Sequence, residues 1–438
     1  MSEKTEQPSA LVIGAGIAGM QAALDIADAG FRVHLVEREP SIGGHMSQLD
    51  KTFPTLDCSA CILTPKMVDC ARHPNIHLHT YSEVKAVSRA GSAFSVQVLE
   101  RARYVDMDRC TGCGDCALKC PTKVLDSFNM QLNERRAIYL QFPQAVPMVM
   151  TIDPEHCIYL NRGKCGLCKR ICEADAIDFE QQDRQLDLKV GTIIVATGFD
   201  PFDASDKPEF GYGRYRNVIT GLEFERLASA SGPTSGKIQL NGTVPQELVF
   251  IHCVGSRDKL QGGEYCSRIC CMYTAKQAHL AHDKIPGAKI TVFYMDVRAF
   301  GKGFEEFYDR VRAEGVTYRR GNPSEIYKRG DKLIVRAEDT LLGRTVEVPA
   351  DMVVLAIGIQ PRADADSVAS MLGLEFSEDG FFAEAHPELR PVDTQTPGVY
   401  LAGTCQAPKD IPDTVSQAKA AAAQAIVELS RLKAKGKW

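Results

Sequence analysis

A short apolar run, Ala10 to Ile13, passes directly into Gly14-Ala15-Gly16-Ile17-Ala18-Gly19 and then into MQAALDIADAG, which has helical apolar spacing and ends at Gly30. A second apolar run, FRVHLVE, follows and ends at Glu37. Strand, glycine-rich turn, helix, strand and acid, in that order, restrict the chain to a parallel βαβ unit that holds a dinucleotide. The glycines permit a tight turn and close backbone approach to a pyrophosphate at the helix N-terminus. Glu37 lies 18 residues past Gly19, where a ribose-binding acid belongs.

The chain has 438 residues, with 44% hydrophobic and 24% charged side chains and a net charge of −5. That length suggests several domains, and the charge argues against nucleic acid as a partner. No apolar run approaches the roughly 20 residues that span a bilayer, and the N-terminal MSEKTEQPSA lacks an apolar leader segment. The unusual count is 16 cysteines. In spaced groups within a reduced, cytoplasmic chain they indicate metal or redox chemistry before disulfides.

Eight of them form two runs. Cys110, Cys113, Cys116 and Cys120, followed by Pro121, make CxxCxxCxxxCP; Cys157, Cys165, Cys168 and Cys172 make a second run with a stretched first gap. The first spacing is that of bacterial ferredoxins, where the fourth cysteine of each run ligates the other cluster. The expected sets are therefore Cys110, Cys113, Cys116 and Cys172 for one 4Fe-4S centre, and Cys157, Cys165, Cys168 and Cys120 for the second. Structural zinc is the alternative for such CxxC pairs. Two neighbouring clusters act as a one-electron conduit, so this insert is expected to carry electrons rather than to catalyse.

From Glu247 the chain reads ELVFIHCVGSRD, like the first strand of a second nucleotide-binding domain, but only Gly255 remains of a glycine loop. In its place stand Cys253, Cys266, Cys270 and Cys271, a Cx12CxxxCC set within 19 residues. A third 4Fe-4S centre is the expected occupant; zinc, or a disulfide plus buried thiols, is the alternative. Cys58, Cys61, Cys70 and Cys405 are left over. Cys58-SA-Cys61 reads as a dithiol over a flavin, as a cluster or partner contact, or as packing.

Several segments resemble the flavin-disulfide reductase family. Glu37-Arg38 is followed by Gly43-Gly44, a pair that marks an FAD site there. GTIIVATGFDP, with Thr197 and Gly198, resembles the segment that re-enters the FAD domain. GVYLAGTC, with Gly403 and Thr404, resembles the C-terminal FAD strand, although Thr404 replaces the acid usual at that place. Taken with GGHMSQLDKTFPTLDCSACILTPKMV, CTGCGDC and HCVGSRD…YCSRICCMYTAKQA, they resemble the flavin- and iron–sulfur-bearing subunit of heterodisulfide reductase across about residues 8–425.

The resemblance implies an α/β fold: a thioredoxin-reductase-like pair of Rossmann-type domains with an inserted two-cluster ferredoxin domain. The expected boundaries are 1–102, 183–244 and 350–438 for the FAD domain, 103–182 for the insert and 245–349 for the second domain. It also implies an FAD that sends one electron of each pair to a high-potential, disulfide-type acceptor and the other to ferredoxin. Lys276, five residues after the cysteine pair, and Glu223, thirty before Cys253, take the positions of the family's flavin-side residues, with Glu223 tuning the lysine. Implied partners are disulfide- or quinone-side subunits, a hydrogenase or dehydrogenase donor, ferredoxin and a second copy of the chain. Longer members carry an additional cluster-bearing N-terminal domain and a C-terminal ferredoxin domain, so this reads as a short form. A quinone-interacting or sulfur-metabolism subunit without bifurcation shares every motif. An NAD(P)H-dependent disulfide reductase with structural zinc is the rival of another class, disfavoured by the missing second glycine loop.

Overall fold

The computed structural model describes residues 7–261 and 263–435. Along the chain the framework elements are β1 (Ser9–Ile13), α1 (Ile17–Asp28), β2 (Arg32–Glu37), α2 (Ser59–Arg72), β3 (Ile76–Thr80), β4 (Thr192–Val195) and β5 (Val218–Thr220). Then come α3 (Gly221–Ala228), β6 (Glu247–Val254), α4 (Cys270–Lys284), β7 (Lys289–Tyr294), β8 (Thr317–Arg320), β9 (Met352–Ile357), β10 (Val399–Leu401) and α5 (Ile411–Ala434).

Two five-stranded sheets organise these elements. The first has the order β10-β4-β1-β2-β3 and the second β5-β9-β6-β7-β8, with every pairing within them parallel. Parallel sheets need cover on both faces, which explains the near-continuous apolar strands. In the first sheet, α1 and the alanine-rich α5 share a core with β1 and β2, through Ala22, Ala23, Ile26, Ala418, Ala421 and Ala422. The other face packs Leu11, Val36, Ile193 and Val195 against Phe94, Val96 and Val98 of a separate three-stranded antiparallel sheet.

The insert leaves from that antiparallel sheet. Strands Ala93–Glu100 and Arg184–Val190 pair with Glu100 opposite Arg184, so everything between hangs from one end of a strand pair without disturbing either large sheet. Within it, five-residue helices Asp115–Lys119 and Leu167–Ile171 each lie within a cysteine run and carry Cys116 and Cys168, and two short antiparallel strand pairs lie between them in the chain.

The expected domain boundaries at 245 and 350 are displaced. β5 and β9 fell outside the expected second domain, yet both belong to its sheet. The reason is register: β9, buried at all six positions, pairs Met352 to Leu355 with Leu248 to Ile251 of β6 on one side, and Val353 to Leu355 with β5 on the other. Among the described residues no helix is long and apolar enough to cross a membrane.

The glycine turn is a steric requirement. A Cβ on Gly19 would lie 1.8 Å from the Gly14 carbonyl oxygen, whereas Gly30, at φ +88°, has open space around it. Gly19→Ala is expected to lose about 1–3 kcal/mol to overpacking, and Gly30→Ala about 1–2 kcal/mol to backbone strain alone. Denaturant unfolding measures both, and a larger loss for Gly30→Ala would contradict this account.

Candidate redox site

One cavity of about 1160 Å³ runs from the glycine turn across to the second sheet. At its first end, a Cβ on Gly14 would strike the Ala196 carbonyl oxygen at 2.4 Å, and one on Gly44 would come within 3.0 Å of the Gly16 Cα. Gly43 N–H donates to the Ala15 carbonyl at 2.9 Å. Three backbones therefore meet where only glycine fits. Helix α1 has no side-chain cap, so its first N–H groups are left for an anionic ligand.

The Glu37 carboxylate accepts the Ala15 N–H at 2.8 Å and the Glu39 N–H at 3.0 Å. Burial raises its pKa above the usual carboxylate range. Arg38 pairs with Asp364 at 2.9 Å at the exposed rim. Thr197, Gly198 and Thr404 line the cavity, as do Gly14, Gly16, Glu37, Arg38, Gly43 and Gly44. Gly19 and Gly403 do not line it; they serve close packing, Gly403 against Ala18. The elongated cavity, glycine cradle and buried acid fit an FAD.

At the far end the wall is α4. Tyr273, Lys276 and Gln277 face the cavity with Glu225 of α3. Lys276 Nζ lies 2.7 Å from Glu225 and donates to the Lys51 carbonyl at 2.8 Å; the two side chains are 1% and 2% exposed. Glu225 also accepts from Gln277 Nε2 at 2.7 Å and from the Asp50 N–H at 3.0 Å.

The expectation for Glu223 is corrected. Its carboxylate accepts the Thr220 N–H at 2.6 Å while the Thr220 hydroxyl accepts the Glu223 N–H, which makes a capping box, and it is absent from the cavity lining. Residues two apart on a helix point about 200° away from each other, so Glu225, not Glu223, meets Lys276. The sequence Thr220-Gly221-Leu222-Glu223 carries the S/T-x-x-E capping signature, which was the available signal.

Three groups of thiols accompany the cavity. In the insert, burial pushes the Cys168 thiol up to about 11, and Cys157, Cys120 and Cys165 add to it. Burial likewise raises Cys116 to about 12, with Cys168, Cys110 and Cys113 contributing. Cys120 and Cys168 each raise a thiol of the other run, so the two runs lie close together. Cys110, Cys116, Cys120, Cys157, Cys168 and Cys172 all pack in or against one core.

The third group comes from the end of β6, the loop after it and the start of α4. A hydrogen bond with Cys270 holds the Cys253 thiol below its ordinary value. Burial lifts Cys271 to about 11, helped by Cys253 and Cys266. Cys253 adopts φ +59°, a conformation that costs a non-glycine residue energy and is typical of functional sites. Gly255, the remaining glycine of this loop, is used for packing: a Cβ there would lie 2.1 Å from the Phe202 ring. The uncapped N-terminus of α4 presents its positive dipole end to these sulfurs. Soft thiolates are the ligands that a 4Fe-4S cluster takes.

The leftover cysteines divide. Cys70 and Cys405 are buried and bond to the Met20 and Val195 carbonyls, so both pack. Cys58 and Cys61 form a disulfide at the start of α2. Neither lines the cavity, so the arrangement of a dithiol over the flavin is not the one found.

A side chain that sequence reasoning missed is Lys409. It lines the cavity just before α5 and donates to the Gly403 and Ala407 carbonyls and the Gln406 side chain at 2.8–3.0 Å. Burial lowers its pKa to about 8.

A family profile described as pyridine nucleotide-disulphide oxidoreductase matches residues 8–425. The chain belongs to that family. That family is one of oxidoreductases. Among curated relatives, it is 52% identical over 432 residues to a subunit of the H(2):CoB-CoM heterodisulfide,ferredoxin reductase of Methanothermobacter marburgensis, covering 98% of this chain and 65% of the relative. It is 54% identical over 426 residues to an iron-sulfur subunit of the CoB--CoM heterodisulfide reductase of Methanopyrus kandleri, covering 96% and 64%. The chain thus spans slightly less than two thirds of these relatives. Thioredoxin reductase of T. acidophilum shares the fold, with a TM-score of 0.53 at 13% identity over 98% of this chain and 99% of that one.

Lys276→Met or Glu225→Gln alone should cost about 3–5 kcal/mol, because each leaves a buried group unpaired, while the double variant recovers much of the loss. Denaturant unfolding of the four proteins measures the coupling, and additive losses would contradict it. For Lys409, the folded protein releases its proton near pH 8 and the unfolded chain only near about 10.4. Stability should therefore rise with pH across that window, and Lys409→Met should flatten the rise.

Proposed function

We propose that the chain is the FAD- and iron–sulfur-bearing electron-transfer subunit of a heterodisulfide-reductase-like assembly. In this reading, electron pairs gathered at the flavin leave singly, one to a high-potential disulfide-type acceptor and one to ferredoxin. FAD exchanges electrons in pairs or singly, and 4Fe-4S clusters exchange them singly.

The observation that carries the reading is the double use of α4. Its first turn holds Cys270 and Cys271, and the same helix presents Tyr273, Lys276 and Gln277 to the cavity. At 1.5 Å per residue, Cys270 and Lys276 are separated by about 9 Å along the axis. A metal centre held by these thiols would stand where a disulfide reductase seats its nicotinamide cofactor, with Cys253, Cys266, Cys270 and Cys271 as its ligands. Residues 103–182 would hold two further clusters as a ferredoxin domain.

Lys276 places a cation at the inner end of the cavity, held by Glu225 and the Lys51 carbonyl. It favours negative charge on whatever lies against it, and Glu225 moderates that effect. The relatives' names supply the classes of acceptor, a heterodisulfide and ferredoxin. The donor and acceptor subunits, together with a second copy of the chain, would come from the assembly.

Anaerobically purified protein should contain about twelve iron atoms per flavin, matching three 4Fe-4S centres, with cluster signals in EPR. NADH and NADPH should not bleach the flavin directly. Zinc in place of iron, or rapid bleaching by a pyridine nucleotide, would overturn the reading in favour of a nucleotide-dependent disulfide reductase.

A further inference from the structure

The insert does more than hang from its strand pair. Phe128 and Phe142 belong to it, stack at 4.8 Å with 15° between their planes, and form part of the cavity wall. Leu140 packs both against the core that includes these two rings and against the core that holds the insert's cysteines. Ile138, in the cysteine core, is four residues from Phe142, a span of about 13 Å in extended chain. The segment 138–142 therefore joins the cluster-bearing core directly to the cavity.

One side chain holds that wall in place from outside the insert. Arg226, on α3, is 1% exposed. Its Nε donates to Asn129 Oδ1 at 2.9 Å, its Nη1 donates to the Gln48 carbonyl at 3.0 Å, and its guanidinium lies 5.0 Å from the Phe128 ring centre. Asn129 is fixed in turn by Asp126 at 2.8 Å, and Gln48 Nε2 returns a bond to the Phe128 carbonyl at 3.0 Å. One guanidinium thus ties together the second domain, the FAD-domain segment at Gln48 and the insert. A buried guanidinium is costly to desolvate, and a planar fork that stacks on a ring cannot be replaced by an ammonium.

We propose that Arg226 is a positioning residue for electron transfer: it sets the gap between the flavin cavity and the insert's clusters by clamping the Phe128–Phe142 wall, through which single electrons cross. This rests on the proposed flavin and iron–sulfur reading. Each transfer takes one electron from one centre and adds one to the other, and no covalent bond forms or breaks.

The test uses anaerobic holoprotein mixed rapidly with dithionite. Insert-cluster reduction is followed by freeze-quench EPR and flavin reduction by absorbance. In Arg226→Met the delay between the cluster and flavin phases should lengthen roughly tenfold or more, the scale on which ångström-level misplacement is felt, with iron and flavin content and the cluster phase unchanged. Asn129→Leu, made on the insert side, should lengthen it in the same direction, and Arg226→Lys should restore only part of the rate. An unchanged delay in either Arg226→Met or Asn129→Leu holoprotein overturns the clamp while leaving the functional reading standing. Wild-type protein without flavin or iron would instead overturn that reading, and the clamp with it.

Discussion

The ion pair between Lys276 and Glu225 governs how the second domain meets the first. Two charges removed from water cost several kcal/mol each unless every hydrogen-bonding site is filled. Here the Lys51 carbonyl, the Asp50 N–H and Gln277 complete the set. The pair itself lies within the second domain, on α3 and α4, and the FAD-domain loop at 50–51 supplies the Lys51 carbonyl and the Asp50 N–H, so its hydrogen bonds are filled only when the two domains are docked. Its burial fixes the inner end of the cavity and, through α4, the distance from that end to the thiols at the helix start.

The insert obeys a different constraint. Because Glu100 and Arg184 face each other across two antiparallel strands, the large sheets close as if the intervening residues were absent. That freedom lets a separately cored unit be added without altering the Rossmann-type frame. It also leaves the insert's orientation to contacts beyond its base. Ser41 bonds to both the N–H and the carbonyl of Val146, and Arg226 reaches Asn129 from the other side. The cavity wall is consequently built from all three units.

Much of the candidate site was legible in the residues themselves. Gly14, Gly43 and Gly44 stand where a Cβ would be tight or the backbone must turn, and the spacing of the insert's cysteines divides them into two runs of four. Such patterns are local, and local sterics or ligand spacing produce them. Glu223 shows where that reasoning stops. Family position pointed to it as the tuner of Lys276, whereas its capping signature, four residues long and equally local, marked it for another task.

Sequence alone determined the dinucleotide turn, the three groups of four thiols and the loss of the second glycine loop, because each depends on residues close together in the chain. Only tertiary structure decided that β5 and β9 complete the second sheet, that Glu225 partners Lys276, that Cys58 and Cys61 stand away from the cavity, and that Arg226 reaches the insert. Those outcomes depend on strand register and on which helix face meets which neighbour. Burial then selects among side chains that look equivalent in sequence, since a charged group can enter the interior only where distant segments supply its partners.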